Sequence, residues 1–262
     1  MIPLVVVGAA GRMGRAIAEA ASGSPDVTLR ACVDRAVPTG SEPGGPAWGT
    51  DLGAVARPGD VVIEFSSAEG AVAAARLCAE RGLPLVSGTT ALDPGQEAAV
   101  REAAARVPIV RAANFSLGVL ALKQALDAVL GPLAGWDVEI IERHHRGKAD
   151  APSGTALDLA RRAREARGWG EETLRHGRHG KGGPRNDAEI GMHALRGGTW
   201  IGDHTVVLAG RGEWIELRHV AQDRGAFAHG VLTAARFISS VAAPGFYTLN
   251  DVVRAAATTS TV

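Results

Sequence analysis

One short stretch of the chain, residues 142–157, combines residue types that could carry chemistry. It reads ERHHRGKADAPSGTAL and holds a histidine pair, His144 and His145, followed by Lys148. Histidine moves protons near neutral pH, and lysine acts as an acid or as a point charge for an anion. The SGT turn at 153–155 opens a helix, where free backbone N–H groups favour a carboxylate. The stretch therefore indicates proton transfer on an anionic substrate, and the alternative is a solvated charged loop before a capped helix.

A glycine turn near the N-terminus is the second candidate site. It reads GAAGRMG over residues 8–14, directly after an apolar run and before a helix pattern. Such a turn lets the backbone approach a dinucleotide pyrophosphate, which then lies at the helix N-terminus. Asp34, at the end of the next strand, would bind the adenine ribose hydroxyls, whereas Arg35 could meet a 2′-phosphate. The spacing alone is a weak signal, because glycine also serves helix–strand packing, and a glycine turn of another α/β domain remains an alternative.

Two further polar segments follow predicted strands. SGTT at residues 87–90 and AANFS at residues 112–116 both lie at strand ends, on the edge where open α/β sheets bind ligands. Both could line a nicotinamide pocket. The alternatives are a strand-end turn for the first and a helix N-cap for the second.

The elements that must position these residues alternate over the first 115 positions. Short apolar runs alternate with helix patterns, as in a parallel, doubly wound, Rossmann-like sheet. The predicted strands are Ile2–Val7, Val27–Val33, Asp60–Phe65, Leu83–Ser87 and Pro108–Val110, and the predicted helices are Arg12–Ser22, Ala68–Arg81 and Pro94–Arg106. The sequence thus predicts a dinucleotide-binding domain over residues 1–115.

The pattern changes after residue 115. Turn residues such as Arg196–Gly198 between consecutive strand patterns predict an antiparallel or mixed sheet. The predicted helices are Ser116–Leu130 and Thr155–Arg167, and the predicted strands are Val138–Glu142, Glu189–Leu195, Thr199–Leu208 and Trp214–Val220. This predicts an α+β substrate-binding and oligomerisation domain over residues 116–224. A helix pattern at Gly225–Val241 opens the C-terminal segment, residues 225–262.

Two segments of this second domain suggest contacts with other molecules. Residues 168–187 are rich in glycine and basic side chains, and we interpret them as a mobile loop over an anionic small-molecule site rather than a nucleic-acid arm. The central strand is unusually apolar at Trp200, Ile201, Val206, Val207 and Leu208. Because large apolar patches rarely stay exposed, we expect this sheet to be buried in a subunit interface.

Composition excludes several classes of protein. The chain has 262 residues, 46% of them hydrophobic, with 28 basic and 28 acidic side chains, which argues against a dedicated nucleic-acid binder. No stretch approaches the roughly 18 apolar residues of a membrane helix. Cys32 and Cys78 are expected to be buried hydrophobes in a reducing compartment, and neither lies near the histidine pair, which disfavours a zinc site. We expect a soluble, cytoplasmic protein without a membrane or nucleic-acid partner.

Taken together, these motifs resemble the dihydrodipicolinate reductases of the lysine and diaminopimelate pathway. The resemblance covers nearly the whole chain, and the histidine–lysine–SGT run is its most specific part. One departure is Leu120, where asparagine would be expected, and it puts a local polar contact in doubt. Besides that run, the matching stretches are VVGAAGRMGR, EFS, SGTT, AANFSLGV, EIGMHALRGG, IGDHTV and ELRHVAQDRGAFAHG.

The resemblance implies an NADH- or NADPH-dependent oxidoreductase that acts on a cyclic dicarboxylate, 4-hydroxy-tetrahydrodipicolinate. His144 would be the general acid/base and Lys148 the proton donor. The substrate carboxylates would be bound by His145, Ser153, Gly154 and Thr155. The dinucleotide would be bound by Gly8, Ala9, Ala10, Gly11, Arg12, Met13, Asp34, Arg35, Gly88, Thr89, Thr90, Ala112, Ala113, Asn114 and Phe115. The resemblance also implies a homotetramer built through the second sheet, and a C-terminal segment that returns to the dinucleotide-binding domain.

Two other functions fit parts of the sequence. One is a Rossmann-type oxidoreductase that acts on another small amino or imino dicarboxylate such as aspartate. The other is a non-catalytic dinucleotide sensor, which would need the glycine turn but has no use for His144 and Lys148.

Overall fold

The computed structural model describes residues 1–38 and 45–259 and consists of two compact units. Unit 1 contains Met1–Ser116 and the chain from Gly225 onward, and unit 2 contains Leu117–Arg224. Among the helices of the described residues, none combines the length and hydropathy that crossing a bilayer requires.

Unit 1 is built on a seven-stranded sheet with helices packed on it. Its strands are β1 (Ile2–Val7), β2 (Val27–Val33), β3 (Ala47–Gly49), β4 (Val61–Glu64), β5 (Leu85–Ser87), β6 (Pro108–Arg111) and β12 (Gly245–Tyr247). They lie in the order β12-β6-β5-β4-β1-β2-β3, and every neighbouring pair is parallel. The helices are α1 (Arg12–Ser22), α2 (Leu52–Val55), α3 (Ala68–Arg81), α4 (Pro94–Ala103), α7 (Gly225–Ser240) and α8 (Leu249–Thr259). The predicted parallel, doubly wound sheet is confirmed.

Local sequence explains where the helices of unit 1 begin and end. The Ser67 side chain accepts the Gly70 N–H and caps α3, which ends at Gly82 with a left-handed φ of +68°, as helix caps commonly do. Asp93 and Gln96 form a capping box at the start of α4. These helices pack on strands β4 and β5, which are buried throughout, and on β6, which is buried except at Arg111. Helix α7 also contacts β4, β5 and β6, and this packing fixes the carboxyl ends of those strands.

Unit 2 contains a five-stranded mixed sheet with two helices on one face. Its strands are β7 (Asp137–His144), β8 (Leu174–His176), β9 (Ile190–Arg196), β10 (Gly202–Ala209) and β11 (Trp214–Ala221), and its helices are α5 (Leu117–Leu130) and α6 (Gly154–Arg167). The order is β11-β10-β7-β9-β8, in which β10 is antiparallel to both neighbours and the remaining pairs are parallel. The predicted mixed sheet is confirmed.

The core of unit 2 lies between this sheet and the two helices. Val138 and Ile140 of β7 meet Leu126 of α5 and Leu159 of α6 there, all four side chains being inaccessible to solvent. Along β7 every second residue is buried, as expected for a strand with one face on a core.

The predicted role of the central strand of unit 2 is corrected by the structure. This strand, β10, follows β9 in the chain, but β7 lies between the two in the sheet. Val206 and Leu208 of β10 are buried in the core of unit 2 itself. They therefore cannot form a subunit interface, whereas Trp200 remains 46% exposed.

The basic segment 168–187 is not an uninterrupted loop. It contains a 3₁₀ turn at Glu171–Thr173 and the edge strand β8. Arg178 donates to Glu139 at 3.1 and 3.2 Å and is paired with Glu189. Arg185 donates to Asp137 and Glu139. Arg178 and Arg185 are thus paired with carboxylates of unit 2, whereas the sequence predicts a mobile basic loop over an anionic ligand.

Candidate active site

The glycine turn of unit 1 follows β1 and is packed too closely for other residues. Gly8 has a φ of +79°, and a Cβ atom there would lie 2.2 Å from the Phe65 carbonyl oxygen. A Cβ atom on Gly14 would lie 2.4 Å from the carbonyl oxygen of Gly8. Glycine is therefore required at both positions, because it alone adopts such a φ freely and permits such a close approach.

Asp34 follows β2 and is fixed beside this turn. Its Oδ2 accepts the Ala10 N–H at 2.9 Å, and its Oδ1 accepts the Arg35 N–H at 2.8 Å. A cleft of about 580 Å³ opens next to it, lined by Val7, Gly8, Ala10, Gly11, Val33, Asp34, Arg35, Thr50, Phe65, Ser66, Ser67 and Gly70. Both groups predicted to discriminate the adenine ribose therefore border one cleft.

A second cleft of unit 1, of about 560 Å³, adjoins the first and shares Gly11 and residues 65–67 with it. It is lined by Gly11, Arg12, Met13, Phe65, Ser66, Ser67, Ala68, Gly88, Thr89, Thr90, Ala113, Asn114, Phe115 and Phe227. The two clefts bring together all of the predicted cofactor-binding residues except Ala9, which is buried at 4% exposure, and Ala112.

These clefts fit a dinucleotide. No side chain caps the start of α1 at Gly11, and its first turn holds no acidic residue. The N–H groups and the positive end of the helix dipole therefore favour a diphosphate there. Asp34 at the end of the neighbouring strand suits a ribose diol. The position of the clefts at the carboxyl edge of the sheet is where ligands bind in this class of fold.

In unit 2, His144 is the last residue of β7 and is 8% exposed. Its Nδ1 lies 2.6 Å from Oε2 of Glu142, which is 1% exposed. Two residues apart on one strand, both side chains lie on the same face of the sheet. Burial lowers the pKa of His144 below its ordinary value, although the Glu142 carboxylate opposes this. At neutral pH the ring is therefore neutral.

The Glu142 carboxylate accepts three hydrogen bonds besides its contact with His144. Arg196 donates to both of its oxygens at 2.7 Å, and the Ser153 N–H donates to Oε1 at 3.0 Å. Burial alone would raise the pKa of Glu142, but the bonds from Arg196 and His144 outweigh it, and the pKa lies below its usual range. Glu142 is thus a charged anchor for the imidazole.

A second buried imidazole, His204 of β10, lies beside the first. The ring centroids of His144 and His204 are 5.2 Å apart in an edge-on arrangement. The Nε2 of His204 lies 3.0 Å from Oγ of Ser153, which also accepts the Ala156 N–H and caps α6. His204 therefore helps to fix the start of α6.

The loop between β7 and α6 carries Lys148 and His145. The Lys148 ammonium lies 2.8 Å from Asp150, and its charge contributes to the lowered pKa of His144. The His145 N–H donates to the Trp200 carbonyl at 2.7 Å. His145 and Lys148 thus lie on the loop that leads from His144 to the start of α6, where Gly154 is exposed and Thr155 half-buried.

Comparison with models of known protein families shows the family to which the chain belongs. A family model described as dihydrodipicolinate reductase, N-terminus, matches residues 2–115, and one described as dihydrodipicolinate reductase, C-terminus, matches residues 118–253. The chain belongs to the dihydrodipicolinate reductase family. The predicted resemblance is confirmed over nearly the whole chain.

Relatives of this dihydrodipicolinate reductase family member are similar over their full length. The chain is 45% identical to a 4-hydroxy-tetrahydrodipicolinate reductase of Rubrobacter xylanophilus, covering 97% of this chain and 98% of the relative. It is 44% identical to one of Myxococcus xanthus, with the same coverage. Among solved structures, a dipicolinate-bound dihydrodipicolinate reductase from Paenisporosarcina sp. TG-14 matches with a TM-score of 0.77, covering 95% of this chain and 97% of that one at 22% identity. That structure shows the shared fold.

Several residues that line the clefts or belong to the hydrogen-bond networks beside them and around His144 have no predicted role. In unit 2 these are Glu142, Arg196 and His204, and in unit 1 they are Glu64, Phe65, Ser66 and Ser67. The sequence contains a pattern that could have indicated two of them. Glu142 is two residues from His144, and His204 is two and four residues from Val206 and Leu208, so the members of each set share one face of a strand. The EFS stretch follows a strand at the ligand-binding edge.

Proposed function

We propose that this chain is the NAD(P)H-dependent reductase of 4-hydroxy-tetrahydrodipicolinate in lysine and diaminopimelate biosynthesis. The substrate loses water to give a conjugated imine, and a hydride at ring C4 followed by a proton gives tetrahydrodipicolinate. The observation that carries the proposal is the Glu142–His144 pair at 2.6 Å beside the start of α6. This pair could transfer protons next to a helix start that favours an anion. The named relatives, which align with this chain over 98% of their length, support the same interpretation.

The clefts of unit 1 would bind the dinucleotide. Asp34 and Arg35 would meet the adenine ribose, the start of α1 the diphosphate, and residues 88–90 and 113–115 the nicotinamide half. When bound, the cofactor supplies the hydride. Asp34 accepts a ribose hydroxyl and Arg35 can face a 2′-phosphate, so the site is suited to both NADH and NADPH.

His144 and Lys148 would handle the protons of the reaction. With Nδ1 bonded to Glu142, a neutral His144 ring presents the Nε2 lone pair and can accept a proton there. Once protonated, it can return that proton. Lys148, as an ammonium, would donate the proton that quenches the enamine left after hydride transfer.

The two substrate carboxylates would be bound by cationic and N–H groups of unit 2. Gly154 and Thr155 occupy the first turn of α6, which carries no acidic side chain. A helix start of this kind favours a carboxylate. His145 and Lys148, on the loop before the helix, would bind the second carboxylate.

The chain would act as a cytoplasmic homotetramer assembled through the sheet of unit 2. Helices α5 and α6 cover one face of that sheet. Leu195, Val220 and Trp214 lie on the other face by their register and are 40%, 49% and 65% exposed. Exposed apolar side chains on one sheet face favour a protein interface. The buried, unpaired thiols of Cys32 and Cys78 suit a reducing compartment.

The test is a turnover assay with freshly generated 4-hydroxy-tetrahydrodipicolinate, following nicotinamide absorbance with NADH and with NADPH. Oxidation of either cofactor that depends on this substrate and is lost in His144→Ala supports the proposal. Reduction of NAD+ or NADP+ by aspartate, in a parallel assay with the oxidised cofactors, would instead favour the related dehydrogenase activity. Cofactor binding without turnover on either compound would favour a dinucleotide sensor.

A further inference from the structure

Three polar side chains form a row across the carboxyl edge of the unit 1 sheet. Glu64 ends β4, Ser87 ends β5 and Arg111 ends β6, and the strand register pairs Glu64 with Ser87 and Ser87 with Arg111. Paired residues of parallel strands point to the same face of the sheet. The row therefore lies on one face, at the ends of three adjacent strands.

Glu64 is fully buried, and its carboxylate accepts four hydrogen bonds. Oε1 accepts from the Ser66 N–H, the Ser66 hydroxyl and the Thr89 hydroxyl, each at 2.7 Å. Oε2 accepts from the Ser87 hydroxyl at 3.0 Å. One side chain thereby holds the loop after its own strand and the loop after β5.

Arg111 completes the network from the third strand. Its guanidinium donates to the Ser87 hydroxyl at 3.1 Å and to the Thr89 carbonyl at 3.0 Å. The same guanidinium is bonded to Glu97 of α4. Both the hydroxyl and the carbonyl oxygen of Thr89 are therefore fixed by buried or nearly buried charges.

This network lies directly behind one part of the dinucleotide cleft. Thr89 lines only the second cleft, on the β5 side of the sheet, and Asp34 lines only the first, whereas Ser66 borders both. A dinucleotide with its ribose at Asp34 and its diphosphate at Gly11 would extend its nicotinamide half into the second cleft.

We propose that Glu64 is a positioning residue for the nicotinamide half of the cofactor, through Ser66 and Thr89. The identity of the ligand rests on the proposed function; the positioning itself rests on the four bonds. A buried carboxylate is costly unless its bonds are satisfied. Three of the four bonds come from Ser66 and Thr89, which line the clefts. Loss of the charge should therefore disturb the Thr89 side of the clefts more than the Asp34 end.

The test compares two ligands on purified protein. Glu64→Gln keeps the shape of the side chain but removes its charge and replaces one acceptor oxygen with an amide N–H₂. The Kd for NADH, read from nicotinamide fluorescence, should therefore rise about tenfold or more, as expected for hydrogen bonds to a charged group. Kd for ADP, a probe of the adenosine half read by calorimetry, should change less than about twofold. Glu69→Gln, on the exposed first turn of α3, is the matched control and should change neither.

Ser87→Ala provides a milder second variant, because Ser87 is buried and lines neither cleft. It should weaken NADH by about two- to fivefold, with ADP unchanged, since one bond to Glu64 is lost. Equal weakening of both ligands in the variants, or none of either, would overturn the positioning role. Failure of the wild-type protein to reduce 4-hydroxy-tetrahydrodipicolinate while it still binds NADH would instead refute the proposed function.

Discussion

The Nδ1 atom of His144 lies 2.6 Å from Oε2 of Glu142, and both side chains are buried on the same face of β7. The geometry orients the imidazole and selects the tautomer whose Nε2 is free to exchange a proton. Arg196 bonds both oxygens of the same carboxylate. The neutral imidazole is thus held by a carboxylate that is itself fixed by its ion pair with Arg196.

Glu142→Gln should lower kcat by about 10- to 100-fold, because the imidazole loses the partner that orients it. The Glu142 charge opposes the lowering of the His144 pKa, so its removal should lower that pKa further. The limb of the kcat/KM pH profile that reports His144 should therefore move to lower pH. Steady-state kinetics over a pH series, with Glu172→Gln on an exposed side chain as control, would show this. A profile that falls in height without moving would contradict the assignment.

Lys148→Ala should leave the fold intact and cut turnover by about 100-fold or more if this lysine donates the proton. Nicotinamide affinity should stay nearly unchanged, because Lys148 belongs to unit 2. His144→Ala should behave similarly, and the double variant should lose much less than the product of the two losses, since groups that act as a unit are not additive. Steady-state kinetics with cofactor binding as control decide this. Retention of more than about a tenth of wild-type turnover would rule out the proton-donor role.

The sequence predicts which residues form the site in unit 2, but it does not predict the contacts between them. The ERHHRGK run indicates His144 and Lys148, but the predicted strand ends at Glu142, whereas β7 continues to His144. Ending the strand two residues early hides the shared face of Glu142 and His144. The contact of Arg196 with Glu142 depends on the pairing of β7 with β9, which are distant in sequence. No local pattern encodes that pairing.

In the fold, too, local sequence predicts some elements and tertiary contacts create others. The long periodic elements of unit 1, such as Arg12–Ser22 and Ala68–Arg81, are predicted with their observed limits. β3, β8 and β12 each span only three residues, too few for a periodic signal. Their position is set by pairing at the sheet edges, so tertiary contacts rather than local preference create them.

Asp34→Ala should weaken NADH more than NADPH. Asp34 is suited to the free ribose diol of NADH, whereas Arg35 beside it can meet the 2′-phosphate of NADPH. The change in Kd for NADH should reach about tenfold, the size expected for hydrogen bonds to a charged group. Fluorescence titration with both cofactors measures it. Equal losses for the two cofactors, or none, would refute the role of Asp34 in ribose recognition.

Val220→Glu should dissociate the proposed tetramer into smaller species. Val220 is 49% exposed on the sheet face opposite α5 and α6, and a charge there would be desolvated in an interface. Val37→Glu, at a side chain 45% exposed in unit 1, is the matched control and should leave the mass unchanged. Light scattering at micromolar concentration measures both. A monomeric wild-type protein would exclude the interface.

His204 makes the stability of unit 2 depend on pH. Its pKa is lowered from 6.5 to about 4, mainly by burial and also by the charges of His144 and His219, against the opposing charges of Glu142 and Asp203. The unfolded chain therefore binds a proton to this residue between about pH 6.5 and about pH 4, where the folded chain does not. The contribution of the neutral His204 to the free energy of unfolding is fully present above about pH 6.5 and is lost as the pH falls through this window.

His204→Gln should therefore flatten the acid loss of stability. The linkage amounts to about 3 kcal/mol between the two pH limits, from a shift of 6.5 to about 4. Glutamine does not titrate, so the free energy of unfolding of this variant should fall less than that of the wild type as the pH is lowered. Urea unfolding at a series of pH values from about 7 to about 4 measures both slopes. His179→Gln, at an exposed position, should keep the wild-type slope. If His204→Gln also keeps it, the buried imidazole does not bind its proton in the way that its surroundings imply.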